Sequence, residues 1–291
     1  MKAFVNLNYK NLWKYLFPAR ILLLTMLMCL LMIPVNGRRA NQFRKALWVW
    51  KELLSEPNGR VSTTVLDSYV AADISVLFLS CEIPYNDWGF FDSLISECHK
   101  RNIQLHPYIK PGGQNRRNSI LVTSHPEWLV TELNGEKRTN LNLANPEVRH
   151  YIVTLAESML KHDIDGLHLD YIRFDLYQNF SYDSLTCTIF KQKYHHSPME
   201  LDKDCGDPLW CEWIKWNANQ VTELVREIRS AIVRSGKKIP LSAAVFPDPD
   251  VSRIMIGQDW EAWVQEGLLD LVCPMLYIDN SEVFQRIPKT Q

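Results

Sequence analysis

The strongest constraint on this chain is a rhythm. Short apolar runs rich in branched and aromatic residues alternate with amphipathic stretches, six times between residues 46 and 277. Ile74-Ser75-Val76-Leu77-Phe78-Leu79-Ser80 is the plainest run, and its near-continuous hydrophobicity is that of a strand buried on both faces of a parallel sheet. Residues 91–102 follow with helical periodicity and basic residues at their end, where cations suit the helix dipole. Further strand-like runs fall at 46–50, 103–109, 163–174, 240–246 and 268–277. Helices are expected at 61–72, at 208–235, at 260–266, and from Asn145-Pro146-Glu147 to about His162. Asn145 can cap that last helix, Pro146 suits its first turn, and Glu147 complements the dipole. Asn134-Gly135 predicts a hairpin turn in the excursion after the third strand. Residues 175–207 are long and mixed and read as an active-site loop. Strands alternating with helices in this way build parallel βαβ units.

The polar residues choose between the two arrangements of such units. Ser80 and Glu82, His106 and Tyr108, His168 and Asp170, Asp248, Tyr277 and Asp279 stand at or just past the ends of the apolar runs. A TIM barrel keeps its catalytic groups at those ends. An open doubly wound sheet would carry a Gly-rich phosphate turn after its first strand, and none follows here. The fold expected is α/β, a TIM-type (β/α) barrel. Only 14 residues follow Tyr277, too few for two more strand–helix units. The expectation is therefore an incomplete (β/α)8 barrel over residues 38–291, truncated after the sixth strand, with exposed sheet edges.

The first 37 residues differ from the rest. Lys2, Lys10, Lys14 and Arg20 precede an apolar run from Ile21 to Pro34, and Val35-Asn36-Gly37 closes it. That is the pattern of a signal peptide cut after Gly37. The run is short for a bilayer-spanning helix, which needs ~20 residues, so a membrane partner is expected only if the segment stays uncleaved. Secretion, or delivery to the periplasm or cell envelope, is the expected destination. The whole chain has 32 basic and 33 acidic residues. The leader holds four of the basic ones and no acid, which leaves 28 against 33 and a formal charge of −5. No basic stripe remains to hold nucleic acid. Six cysteines lie past the leader; Cys187, Cys205 and Cys211 sit in or beside one loop where export permits a bridge, while Cys81, Cys98 and Cys273 stand in apolar contexts as buried thiols. No CxxC pair occurs, so no metal site and no cofactor are expected.

The centre of the chain is Asp163-Ile164-Asp165-Gly166-Leu167-His168-Leu169-Asp170-Tyr171-Ile172-Arg173-Phe174. In a strand, alternate side chains share a face, so His168 and Asp170 point one way while Leu167 and Leu169 pack the other. Asp165, before Gly166, reads as a turn or cap. Together with Leu47-Trp48-Val49-Trp50, His106-Pro107-Tyr108-Ile109, His125-Pro126-Glu127-Trp128-Leu129, Asn145-Pro146-Glu147-Val148-Arg149, Gln258-Asp259-Trp260 and Leu269-Asp270-Leu271-Val272-Cys273-Pro274-Met275-Leu276-Tyr277, this stretch resembles the glycosyl-hydrolase-like family 10. The pieces occur in family order over roughly residues 45–280. The resemblance implies a TIM barrel related to carbohydrate-active enzymes, some of whose members act on peptidoglycan glycan strands. Glu82 stands where members commonly have Arg, and Lys110 where Asn is common.

The activity implied is glycoside hydrolysis, on a polysaccharide or on peptidoglycan glycan, by carboxylate acid/base catalysis without a metal. It needs two carboxyl groups flanking the scissile bond. Asp170 is expected as the ionised one, with Arg173 keeping its pKa low, although an Asp–Arg pair could equally hold the loop. Asp248 is the candidate acid and Glu82 its rival; Asp248 could instead serve its Pro-Asp-Pro turn. His106 and His168 are expected to line the sugar pocket, as hydrogen-bonded wall residues. Trp50, Tyr108, Tyr171 and Tyr277, with Tyr85 and Trp88, are placed to stack on sugar rings, and Arg173 to contact substrate. Trp210, Trp213 and Trp216, spaced by three, read as a packing stripe. A barrel that binds glycan without cleaving it, or an inactive fragment of such an enzyme, is the alternative.

Overall fold

A computed structural model describes residues 45–81, 87–113, 115, 117–177, 180–204 and 206–277, together with the backbone of Ile33–Pro34. The strands are β1 (Ile33–Pro34), β2 (Lys45–Val49), β3 (Ile74–Ser80), β4 (Gln104–Ile109), β5 (Leu129–Thr131), β6 (Lys137–Leu141), β7 (Leu167–Leu169), β8 (Leu241–Val245) and β9 (Leu271–Pro274). The α-helices are α1 (Lys51–Leu54), α2 (Thr63–Ala71), α3 (Trp88–His99), α4 (Ile120–Ser124), α5 (Pro146–Met159), α6 (Ser184–Tyr194), α7 (Pro208–Arg234), α8 (Pro249–Ile256) and α9 (Trp260–Gln265).

Six strands are parallel and lie in the order β9-β8-β7-β4-β3-β2, which is their order in the sequence, reversed. An order with no reversal has no switch point. Each right-handed crossover then steps to the same side, so all the helices cover one face and the sheet curls around the other. The result is six parallel strands of a TIM barrel, curled into an open half-barrel, as the polar strand ends predict. At the β9 edge Ile33 and Pro34 pair antiparallel with Val272 and Leu271, inside the segment that reads as a leader.

The two faces of the sheet belong to two apolar clusters. Leu77, Leu79, Leu105, Leu167, Leu169 and Val245 pack outward with the helices in the main core. Ala46, Val76, Phe78, Tyr108 and Cys273 form the inner cluster, with Trp48 and Leu271 against it. Alternation along β7 thus comes out as the sequence predicts: Leu167 and Leu169 sit outside and His168 inside.

One device recurs at the amino ends of the strands. The Asp165 N–H donates to Leu105 O (3.1 Å) while its carboxylate accepts the Leu105 N–H (2.8 Å) and faces His99 Nε2 (3.0 Å). Asp270 repeats it on the next pair: its N–H donates to Leu241 O (2.9 Å), and its Oδ2 accepts the Leu241 N–H (2.9 Å) and pairs with Arg229 (2.8 Å). Each strand's first N–H lacks a ladder partner, and an acid from the next strand supplies one. Asp165 is therefore structural, at the stability face of the barrel. Gly166 follows because His106 lies over it: a Cβ there would stand 2.3 Å from the imidazole Nδ1.

The expected hairpin forms, with β5 and β6 antiparallel and Gly135 at φ 87°. Helix α5 starts at Pro146 with Asn145 capping the Glu147 N–H (2.9 Å). The stretch 175–207 is not a loop throughout. It holds α6, capped by Asp183 on Leu185 and Thr186 N–H (both 3.1 Å), and its buried Phe190 packs edge-on to Trp213 (4.8 Å). That helix shows weak amphipathicity in the sequence, because its register is fixed by one buried residue, Phe190 against Trp213 and Trp216, and a cap rather than by a stripe. Trp213 and Trp216 stack at 5.2 Å in the core, the packing role their spacing implies. Cys187 is a free thiol, and Cys205 lies outside the described residues. Burial pushes the Cys98 and Cys273 thiols up to about 12 and the Cys187 thiol to about 11, so they stay protonated and inert at neutral pH.

Candidate active site

The site grows out of the end of β7. Asp170 continues the ladder one residue past the strand, its N–H donating to Ile109 O (2.9 Å) on β4. The chain then doubles back. Tyr171 takes φ 51°, the Asp170 carboxylate accepts the Tyr171 N–H (2.9 Å), and the Arg173 N–H returns to Tyr171 O (2.9 Å). A side-chain-bearing residue in the left-handed region costs of order 1–3 kcal/mol and persists only where its surroundings hold it; such residues cluster at functional sites.

Here the surroundings hold the strap 170–174 from two sides. From β4, the Gly112 N–H donates to Tyr171 O (2.9 Å), and Asn140 of the hairpin donates from Nδ2 to Gly112 O (2.9 Å). The approach is close enough that a Cβ on Gly112 would lie 1.8 Å from Arg173 O. From the other side, the Phe174 N–H donates to Ile256 O (2.9 Å) at the end of α8. Buried Gln258 donates from Nε2 to Ala244 O (3.2 Å) and Ile172 O (3.5 Å), and its Oε1 accepts the Phe246 N–H (2.8 Å). The Asn140, Gly112 and Gln258 brackets escape sequence reasoning because their partners are 12 to 86 residues away; the Gln258-Asp259-Trp260 motif is the one signal that marked any of them.

Arg173 and Asp170 do not form the expected pair. Arg173, 4% exposed, lays its guanidinium 3.8 Å from the Tyr171 ring centroid and 5.0 Å from that of Phe246. Its Nη1 donates to Phe174 O (3.1 Å), its Nε has no partner, and it makes no ion pair among the described residues. The Asp170 carboxyl is held above its ordinary range, not below it. Burial is the main cause; the Tyr171 N–H and the charges of Lys110 and Arg173 oppose it and lose. Desolvation outweighs two cations that stand near without touching. Lys110, next after β4 and half-buried, holds its ammonium 6.0 Å from the Tyr108 ring centroid. Tyr277, 63% exposed, faces the same cluster: burial and the negative charges of Asp170 and Tyr171 raise its phenol, and Arg173 opposes them.

The other expected residues divide. His168 and His106 do converge, both against Phe78 (ring centroids 4.1 and 5.6 Å), but inside the barrel and closed over. They are walls below the mouth and do not line an open pocket. His168 Nδ1 bonds Ser242 Oγ (2.8 Å), and burial, then His106, hold its imidazole well below the usual value. Tyr108 is buried beside it in the inner cluster, with ring centroids 6.2 Å apart. Trp50 stands 46% exposed at the end of β2. Trp88 stacks on His162 (4.6 Å) and is no sugar platform. Asp248 is exposed and caps α8 through the Val251 N–H (2.9 Å), the turn use rather than the acid use. Glu82 and Tyr85 lie outside the described residues. No cluster of three or more metal-ligating side chains occurs among the described residues.

The comparisons with known proteins agree with this geometry. A family profile, glycosyl hydrolase-like 10, matches residues 84–290. The glycosyl hydrolase YngK of Bacillus subtilis (strain 168) is 24% identical over 208 residues, 63% of this chain and 38% of that protein. The chain thus spans well under half of that relative. Among solved structures, a β-galactosidase from Rahnella sp. R3 superposes with a TM-score of 0.59 at 15% identity, over 83% of this chain and 40% of that one. A β-galactosidase from Bacillus circulans sp. alkalophilus gives 0.58 at 16%, over 82% and 41%. At such identities the superpositions show the shared barrel fold. With the profile covering most of its length, the chain belongs to the glycosyl hydrolase-like 10 family.

Proposed function

We propose that this chain forms the substrate face of an exported glycoside hydrolase acting on a polysaccharide or a peptidoglycan glycan strand, with Asp170 as the proton donor. The observation that carries the reading is the Asp170 carboxyl itself. It sits at the end of a central barrel strand, is largely buried, and is kept above its usual pKa chiefly by desolvation. A carboxyl that retains its proton can deliver it to a departing glycosidic oxygen. This reverses the ionised role that the sequence implies for Asp170. The Tyr171 N–H would stabilise the carboxylate left behind, at 2.9 Å. Glu82, after β3, remains the candidate for the second carboxyl. Exposed Trp50 and Tyr277 offer apolar faces to sugar rings. Family membership and the name of the Bacillus relative support the reaction class, and the basic-then-apolar leader supports export.

A non-catalytic glycan-binding barrel is the second reading. It is favoured by the other acids past the strand ends among the described residues, each of which is engaged: Asp87 with Lys51, Asp175 with Arg138 (3.3 Å) and Asp248 with its helix. The deciding experiment measures reducing ends released from defined polysaccharides and from denuded peptidoglycan. The gene is expressed as found and with any downstream coding sequence, alongside Asp170→Asn. The hydrolase reading predicts release by the parent and a loss of 10²-fold or more in the variant, the usual range for a general acid. Equal release by a folded Asp170→Asn protein removes Asp170 from the chemistry, and glycan binding without release leaves the binder.

A further inference from the structure

Arg173 poses a problem that the hydrolase reading does not absorb. It is 4% exposed, yet it has no ion pair among the described residues. Its contacts are one carbonyl, Phe174 O at 3.1 Å, and two aromatic faces, Tyr171 and Phe246. Buried charges are normally paired, because a ring face and a single carbonyl do not replace the hydration of a guanidinium. The Nε donor is left without a partner in a buried position. Five donors in a planar fork are offered and one is answered in the protein.

A second cation stands beside it. Lys110 follows Ile109, and Ile109 pairs with Leu169 across β4 and β7, so Lys110 and Asp170 occupy the next paired positions. The charges of Lys110 and Arg173 both act on Asp170, which places both at the mouth. Lys110 also makes no ion pair among the described residues, and its contact there is the Tyr108 ring at 6.0 Å. Among the described residues Asp170 is the carboxyl that these two cations act on, and burial drives it toward its neutral form. Even fully ionised it would balance only one of them. Among the described residues the mouth therefore carries more positive than negative charge where substrate must arrive.

We propose that this mouth binds a sugar bearing a carboxylate, clasped by the Arg173 fork and steadied by Lys110. The inference rests on the glycan-directed reading above and names its substrate class. A carboxylate fits the fork of an arginine with two parallel hydrogen bonds, and Arg173 is already pinned by Tyr171 and Phe246, so little side-chain freedom remains to be lost on binding. Lys110 supplies a point charge. A neutral sugar of the same shape would leave both cations desolvated and unmatched, which is the stronger ground for discrimination.

The test is direct binding, independent of turnover, on the full chain. Methyl glucuronoside, methyl glucoside and methyl glucoside 6-sulfate are titrated at low salt, with two-dimensional NMR of the indole and backbone amides as the readout. The glucuronoside should bind at least tenfold more tightly than the glucoside. Lys110→Gln should lower that preference several-fold, Arg173→Gln should abolish it, and Arg173→Lys should restore part of it. Lys110, being half-buried and free of hydrogen bonds among the described residues, keeps the test usable if Arg173→Gln does not fold. Equal binding of the charged and neutral sugars overturns the proposal, as does a preference left undiminished by Lys110→Gln or by Arg173→Gln. Preference for the sulfate over the carboxylate also overturns it, in favour of a sulfated glycan. A charged-sugar preference without hydrolysis of any glycan would leave this inference standing and defeat the hydrolase reading instead.

Discussion

Gly112 is the position where one methyl group tests the whole construction of the site. Alanine there would place Cβ 1.8 Å from Arg173 O and 2.9 Å from Tyr171 O. Both oxygens are backbone atoms, so the clash cannot be relieved by a rotamer change. The strap must move away by more than an ångström, which breaks the bond from Gly112 N–H to Tyr171 O and strains the one from Asn140. Two hydrogen bonds at about 1 kcal/mol each, with about 1–3 kcal/mol for overpacking, give a loss of about 3–5 kcal/mol. With an m-value of about 3 kcal/mol/M, the upper end of the usual range for urea, the unfolding midpoint should fall by about 1–1.7 M. The control is adjacent. A Cβ on Gly113 would meet Lys110 Cβ at 3.2 Å and Lys110 O at 3.3 Å, a tight contact that small shifts can relieve, so Gly113→Ala should cost under about 1 kcal/mol. Because the strap also aims Asp170, Gly112→Ala should reduce turnover beyond what the folded fraction explains; a displacement of about 1 Å can cost 10²-fold. Urea denaturation followed by tryptophan fluorescence, with turnover at matched folded fraction, gives both numbers. A Gly112→Ala protein within about 0.5 kcal/mol of the parent would refute the reasoning.

Other expectations follow from the same contacts. Asp170 holds its proton more tightly folded than unfolded, so its contribution to stability is present at low pH and is lost as pH rises above the ordinary aspartate value of about 3.9. Asp170→Asn should accordingly be more stable than the parent at neutral pH, with the gain vanishing below about pH 4, read from thermal melts across pH. His168 behaves in the opposite sense: buried neutral, it binds its proton less well folded than unfolded, so acidification below about 6.5 destabilises the fold, and His168→Gln should flatten that limb of the profile. Gln258→Leu removes the acceptor of Phe246 N–H and the donor to Ala244 O and should cost about 2–4 kcal/mol by calorimetry. Asp165→Ala should cost about 1–2 kcal/mol in denaturant while leaving turnover per folded molecule unchanged, since its two partners lie at the amino end of β4 and on α3.

How much of this was legible beforehand depends on how far the controlling contact lies along the chain. The alternation of Leu167, His168, Leu169 and Asp170 needs only the two-residue period of a strand, and it came out as read. Helix α5 announced itself through Asn145-Pro146-Glu147, whose cap is local. Asp165 as a bottom-face residue was likewise readable, from the Gly that follows it. Helix α6 was missed because Phe190 packing on Trp213 and Trp216 of α7, not a periodic stripe, fixes it. Trp88 was misassigned to the mouth because its ring partner, His162, is remote in sequence. Asp170 stands at the strand end as read, but burial raises its pKa where the pairing with Arg173 was expected to lower it. Three residues separate it from Arg173, and that spacing implied a pair.

The sequence by itself determined the βαβ rhythm, the absence of a phosphate turn, the polar strand ends and the family, all of which are local patterns or strings of them. Only the tertiary structure decided the electrostatics of the site. Tyr171 turns into the left-handed region and carries Arg173 onto its own ring, away from Asp170. Gly112 in the loop after β4, Asn140 of the hairpin and Gln258 between α8 and α9 hold that turn in place. Whether a carboxyl keeps its proton depends on how much water and how many charges surround it in space, and sequence spacing does not encode either.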